Sequence, residues 1–374
     1  MNLKGITKAA FVGLCFAAWM TSCIKNEAAN AEADIVACAV SGNLLIREPV
    51  ITNTEVKFYV NGWEDLTSLA PTFTLTEGAA IEPASGTKRD FTSPQTYTVT
   101  SQDGQWKKTY KVSFISGSPA TEYHFENIKY YEYADMWNPT AEPQKKFHIF
   151  YDRTIEGTDM EWSSGNAGFM ITNSTAPATD YPTSQAENGY KGKCAKLVTR
   201  STGSLGAMMK APLAAGNLFI GEFKINIGNM AKSTRFGMPF RMTPLGLDGY
   251  FKYKAGEKYI NKNSEEQTNK KDIFDIYAVM YEVTKDVPYL DGTNIKTHEN
   301  IVMMAQVENR KEAEEWTRFS AEFKPVGGRT IDAEKLRNGS YNLAIVLSSS
   351  EGGADFNGAV GSTLYVDEMN LYYK

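Results

Sequence analysis

The sequence predicts an all-β protein built as two sandwiches in series, a small one and then a larger jelly roll. Three observations carry that reading. Short runs alternate apolar and polar side chains, the period of a strand with one buried face. Gly, Pro, Asn and Asp separate those runs, and the pair Asp103-Gly104 sits between two of the clearest. The end of the chain, 348–373, is a small-residue loop that feeds a strand, and a terminal strand must pair with strands made earlier. A length of 374 residues suits about two ordinary domains.

Residues 1–22 read as a targeting segment rather than as part of the fold. Lys4 and Lys8 make a positive start, 9–20 is apolar but too short to span a bilayer, and Thr21 and Ser22 stand before Cys23. The order resembles a lipoprotein signal, which implies cleavage before Cys23 and a lipid on its sulfur. The expected product is an exported, outer-membrane lipoprotein of the cell envelope that touches the membrane through that anchor alone. Residues 23–34 are mostly Ala, Asn and Glu and read as a tether. Glu27, Glu32 and Asp34 make it mildly acidic, a trait that related lipoproteins use as a mark for surface display. No later apolar run reaches spanning length.

The chain carries 39 basic and 44 acidic side chains, and loss of the signal removes Lys4 and Lys8. An acidic balance of that kind points away from nucleic acid and from anionic membrane surfaces. Of four cysteines, Cys15 lies in the signal and Cys23 is the anchor, which leaves Cys38 and Cys194 in different units, with no bridge assumed.

The first unit is expected over 35–118. Thr54 to Val60 would turn Val56, Phe58 and Val60 inward, and 72–76 is a second short strand. The clearest signal is 95–100, the turn Gln102-Asp103-Gly104, and 106–114, because Gly accepts positive φ without a Cβ clash. Tyr97, Trp106 and Tyr110 read as packing residues. The pattern resembles the immunoglobulin-like modules that follow the tether in such lipoproteins and serve as spacers. Ser116 to Ala120 is linker chemistry.

The second unit is expected over 119–374. Strands are expected at 146–151, 194–199, 218–227, 249–254, 272–281, 316–323, 341–347 and 362–373, with one short helix at 310–315. In 218–227, Phe219, Phe223, Ile225 and Ile227 would share the buried face. In 249–253, Tyr250 and Lys252 would share one face and Phe251 and Tyr253 the other. In the last strand, alternation groups Tyr365, Asp367, Met369, Leu371 and Tyr373.

Several blocks taken in order, 162–166, 189–196, 216–223, 249–253, 272–277 and 348–373, resemble the putative carbohydrate metabolism domain (PCMD) family of envelope lipoproteins. The resemblance implies a jelly roll like those of galactose-binding and carbohydrate-binding modules. It supplies no catalytic set, so the expected role is non-catalytic carbohydrate binding in glycan capture or utilisation, and catalysis stays open. Two alternatives remain: a structural or adhesive subunit with surface protein partners, and a glycoside hydrolase.

Glycan recognition needs an aromatic face for the apolar side of a sugar and polar groups for its hydroxyls. The residues that would supply these are Trp162, Tyr181, Tyr250 and Tyr253, with Asn166, Arg241, Asp272 and Asp275. Glycosidases need two carboxyls converging on one bond, and Asp272 and Asp275 would point to opposite faces of a strand. His124, His148 and His298 have no zinc spacing, and 348–350 lacks the Gly-x-Ser-x-Gly elbow. No cofactor is expected. A structural calcium ion would draw on Glu351, Asp355, Asn357 and Asp367, which offer hard oxygen ligands.

Overall fold

The computed structural model describes residues 29–42, 44–45, 48–60, 65–116, 119–133, 142–154, 157 and 159–374. The signal, Cys23 and the rest of 24–28 lie outside them. Among the described residues no helix is long and apolar enough to cross a membrane.

In the first unit five strands form one sheet in the order Val50–Ile51, Glu55–Val60, Lys107–Ser116, Gln95–Thr100, Ala80–Glu82. Ile35–Ala39 pairs with Thr72–Leu75 in a second sheet. Between them lie Val56, Phe58, Tyr97, Val99, Tyr110 and Val112, all essentially without solvent contact. The Asp-Gly hairpin forms, with Thr100 opposite Lys107 and Gly104 at φ +70°. Asp103 Oδ1 accepts from Ser101 Oγ and from the N–H of Gln105, which closes the turn. Trp106, expected as a packing residue, sits at the end of that turn and is 40% exposed. The tether is shorter than expected: Ala33 is buried, and the Asp34 carboxylate accepts from Lys108 and Tyr110.

The second unit is a jelly-roll-type sandwich of two antiparallel sheets. One has the order Thr183–Ala186, Cys194–Val198, Thr363–Tyr373, Pro244–Lys254, Ala313–Glu322. The other has the order Asn217–Phe219, Tyr341–Ser348, Asp275–Glu282, Ile301–Gln306, Lys324–Pro325. Leu247, Phe251 and Val366 of the first sheet meet Ile276, Ile345 and Leu347 of the second in the main core. A further sheet of Ile128–Tyr133, Gln144–Arg153 and Asp159–Glu161 flanks them. The two units touch through charge, since Glu161 Oε1 accepts from Lys57 of the first and from Lys129 of the second.

Three local departures from regular strand and helix geometry set which side chains reach the outer faces. The last strand does not keep strict alternation: its pairing with Pro244–Lys254 slips between Asp367 and Asn370, and Glu368 sits at φ +46°. This bulge puts Leu364, Val366, Met369 and Leu371 inside, and it turns Asp367 and Glu368 away from the places that period two assigns them. The run 218–227 is also not one strand. Gly221, at φ +146°, breaks it into Asn217–Phe219 and Gly221–Phe223, and the second piece leaves the sheet to pair with Thr234–Phe236. Ile225 and Ile227 are therefore 41% and 73% exposed rather than buried. Finally, 310–315 is not helical. Ala313 already belongs to a long strand and faces Tyr253, while tertiary contacts hold Arg310. Among the described residues the α-helices are Asn166–Thr172, Gly203–Met208 and Ala333–Arg337, the last capped by Asp332, which accepts from Glu334 and Lys335.

Candidate functional site

Most of the aromatic side chains expected to stack on sugar are core residues. Trp162 is 2% exposed, packed edge-on against Tyr123 at 5.2 Å, and its Nε1–H donates to Asp152 Oδ2 at 2.8 Å. Tyr181 has no exposure and packs on Phe147 and Phe169. Tyr253 is 2% exposed against Phe274. Each sits on an inward position of a strand or loop, where ring area stabilises the core. Asn166 is buried too. Its amide gives Nδ2–H to Thr183 O and accepts Thr183 N–H, pinning a helix start to a strand. Arg241 lies against Gly339, past the helix Ala333–Arg337. Of the expected aromatics only Tyr250 reaches an outer face.

Asp272 is likewise a structural group. Its Oδ2 accepts from Ser350 Oγ, Ser362 Oγ and the N–H of Ala359, and its Oδ1 accepts from Ile273 N–H. Burial pushes its carboxyl above the usual carboxylate range, and these donors only partly oppose that. Thr199 Oγ1 bonds both Ser349 Oγ and Ser350 Oγ. The small-residue stretch near the C-terminus is thus a hydrogen-bonded knot that fixes the loop 351–357.

That loop lines a cavity of about 470 Å³ on the outer side of the second sheet. Three adjacent strands make its floor. In one rung Ser348 stands between Asn217 and Asp275, and in a second rung Val346 stands between Phe219 and Tyr277. Residues two apart face the same way, so a polar rung and an apolar rung lie side by side. Asp275 is 2% exposed and accepts from Lys296, Arg310 and Gln306. The same Arg310 Nη1 donates to Glu351 Oε1 at 2.6 Å, and Lys296 Nζ lies 4.5 Å from the centre of the Tyr277 ring. Asp355 also lines the cavity.

The calcium set is not assembled. Asn357 Oδ1 accepts Lys262 N–H, and Asp367 stands four residues beyond Thr363, roughly 13 Å at strand rise. Among the described residues no three His, Cys, Asp or Glu gather as metal ligands. His124, His148 and His298 each have a separate local partner: Glu368, the N–H of Gln185, and the N–H of Asn300.

The outer side of the first sheet carries an aromatic platform. Tyr190 stacks on Tyr250 with centroids 3.6 Å apart and planes 9° from parallel, and Trp316 meets Tyr190 edge-on at 6.4 Å. Lys252 Nζ lies 5.2 Å over the Trp316 ring. Tyr190 and Tyr372 are each 49% exposed. Between them runs a polar band in which Asp248 accepts from Arg318, Asn370 and Tyr372. Tyr190 rides on a tight turn: Gly189 N–H donates to Gly192 O, and Lys191 N–H donates to Asp367 Oδ2 at 2.9 Å. A Cβ at Gly189 would stand 2.5 Å from Lys193 O, so only glycine fits. Burial, with Glu368 adding to it, pushes the Asp367 carboxyl up to about 6.

Sequence reasoning missed Tyr190, Trp316 and Arg318. A usable signal existed for each. Tyr190 lies between glycines, where an aromatic ring has no core to enter. Trp316, Arg318, Ser320 and Glu322 form one alternating row whose other members are polar, which marks that row as the outer one. The cavity had no such signal, because its walls come from segments far apart in the chain.

Comparison with known proteins adds to this geometry. The family model described as putative carbohydrate metabolism domain matches residues 124–372, and one described as SGBP, N-terminal, matches 47–113. A solved structure described as a putative glycoside hydrolase from Bacteroides thetaiotaomicron is 48% identical. The match covers 94% of this chain and 99% of that one, at a TM-score of 0.83. A second so described, from Bacteroides vulgatus, is 43% identical over 69% of this chain and 99% of that one, at a TM-score of 0.61. No curated protein matches.

Proposed function

Because the chain belongs to the putative carbohydrate metabolism domain family, we propose that it is a carbohydrate-binding protein of the cell envelope whose glycan stacks on the Tyr190 platform without being cleaved. The observation that carries this reading is the exposed Tyr190 ring, backed by Tyr250 and bordered by Trp316 and the Asp248 band. A sugar presents an apolar face to such a ring and hydroxyls to such a band, which both donates and accepts. A tyrosine held by a stacked neighbour loses little freedom when a ligand arrives, which favours binding. The SGBP-type match over residues 47–113 supports a surface glycan-binding role, and the signal-like order of residues 1–23 supports an anchor at Cys23.

Cleavage has less support. Asp275 and Glu351 both meet Arg310 Nη1, at 3.2 and 2.6 Å, so the two carboxylates are neighbours, as a glycosidase pair must be. One of such a pair must act as proton donor. Here both accept hydrogen bonds from one guanidinium, and Asp275 also accepts from Lys296 and Gln306.

The test is a glycan array read with the wild type, Tyr190→Ala and Trp316→Ala, each checked for unchanged thermal unfolding. Binding by the wild type that falls at least tenfold in both variants is the expected result. A wild type that binds no glycan, or variants that bind as well as it does, would sink the platform reading.

A further inference from the structure

The cavity on the outer side of the second sheet has no part in the platform. We propose that it holds an apolar substituent, aryl or acyl, carried by a sugar whose hydroxyls face Lys296, Glu351 and Asp355. This inference rests on the carbohydrate reading above and names the class of glycan.

The two-rung floor is the first argument. A ligand lying across it meets Asn217, Ser348 and Asp275 with one end and Phe219, Val346 and Tyr277 with the other. The walls continue that division. Phe236 and Phe223 pack with the apolar rung, and Phe169 and Met230 also line the cavity. Lys296 meets Asp275 of the polar rung directly, Glu351 is tied to it through Arg310, and Asp355 is a further lining carboxylate. Lys296 donates and the two carboxylates accept, the complement that hydroxyl groups need. An unsubstituted sugar would leave the phenylalanine wall facing polar atoms. A plain hydrocarbon would cover three charged side chains and offer them no hydrogen bond in place of the water it displaces.

The cavity is not slack packing. Its volume of about 470 Å³ is that of a small-molecule site, whereas protein interiors carry few voids larger than a water molecule. Its walls are held open by small residues where helix and hairpin approach: a Cβ on Gly168 would stand 3.3 Å from Met230 Cε and 3.4 Å from Phe223 Cζ. At the mouth three separate segments present Ile171, Met209 and Ile227, which are 45%, 44% and 73% exposed. Apolar side chains from three segments converging on one opening form a patch, and an exposed patch of that kind marks a binding surface. The substituent therefore enters along an apolar path while its sugar stays at the polar end.

The experiment titrates the purified full chain with matched phenyl and methyl β-glycosides of glucose, galactose, xylose and N-acetylglucosamine, and with toluene as a sugar-free probe. Calorimetry should show at least one phenyl glycoside binding ten times more tightly than its methyl counterpart and more tightly than toluene. Gly168→Leu, which fills the cavity, and Ile227→Ser, which changes a side chain too exposed to affect folding, should each reduce that preference at least fivefold. Equal binding of phenyl and methyl glycosides overturns the inference, as does toluene binding as tightly as the phenyl glycosides, or a preference that neither variant changes. Array binding lost in Tyr190→Ala together with no phenyl preference would overturn this inference and leave the platform reading standing. A blank array would overturn the platform reading instead.

Discussion

Asp367 Oδ2 accepts the backbone N–H of Lys191 at 2.9 Å, and that bond ties the last strand of the sheet to the turn that presents Tyr190. The bulge at Glu368 makes it possible, because strict alternation would carry the neighbouring side chains elsewhere. A carboxylate therefore helps to hold the platform, and burial pushes it up to about 6.

The first prediction concerns that titration. Burial raises the Asp367 carboxyl from the ordinary 3.8 to about 6. A raised acid stabilises the fold fully below its unfolded value and loses that contribution as pH climbs through about 6. His124 beside it acts in the same direction: burial pulls its imidazole down, but the Glu368 carboxylate at 2.8 Å outweighs this and leaves it raised. Melting temperature should fall between pH 4.5 and 7, and Asp367→Asn should flatten part of that slope. A slope unchanged in the variant would refute the assignment.

Strand positions and the inner faces were legible where one face of a strand packs and the other meets water. The strand Pro244–Lys254 shows this, with Phe251 and Tyr253 inside and Tyr250 and Lys252 outside as alternation predicts. The candidate site was less legible, because alternation reports that a ring is buried or exposed on a regular strand and says nothing of loops that fold back. Trp162, in a glycine-flanked block, reads locally like a binding residue, and only the approach of Tyr123 and Phe125 makes it core. Asp275 reads as a polar partner for a sugar, and nothing near it in sequence announces that Lys296 and Arg310 arrive beside it.

Trp162 therefore yields a prediction about stability rather than binding. Trp162→Ala should cost about 3–5 kcal/mol in denaturant unfolding, the usual range for removing a large buried ring. Trp162→Phe keeps most of the packing but leaves Asp152 Oδ2 without its donor, a loss of about 1–3 kcal/mol. Folded Trp162→Phe protein should bind glycans as the wild type does. Selective loss of glycan binding with full stability would show that the ring contacts ligand.

The contact between the two units should respond to pH in the opposite sense to Asp367. Burial pushes Glu161 up, but Lys57 and Lys129 outweigh it and hold the carboxyl below its ordinary value. A lowered acid stabilises above its unfolded value, and that contribution disappears as pH falls through the folded value. Glu161→Gln leaves Lys57, a largely buried cation, with Glu55 as its remaining salt-bridge partner among the described residues. Calorimetry at pH 7 should then show unfolding of the two units separating into two transitions, and one unchanged peak would argue that the units are coupled by other contacts.

Gly221 offers the sharpest test of how the cavity is built. Its φ of +146° turns the chain out of the sheet, and an added Cβ would lie 2.2 Å from Arg235 O, a backbone atom that cannot step aside cheaply. Gly221→Ala therefore has to open the pairing with Thr234–Phe236, which carries Phe236 on one side of the cavity while Phe223 follows on the other. The expected cost is about 2–4 kcal/mol, typical of a side chain forced into a glycine-only conformation against packed backbone. The loss should be local at first. Amide exchange ought to accelerate across 221–236 while the paired strands Asp275–Glu282 and Tyr341–Ser348 stay protected, because the main core on their other face is untouched. Uniform acceleration through both sheets would mean that the hairpin is integral to the sandwich rather than a wall added to it.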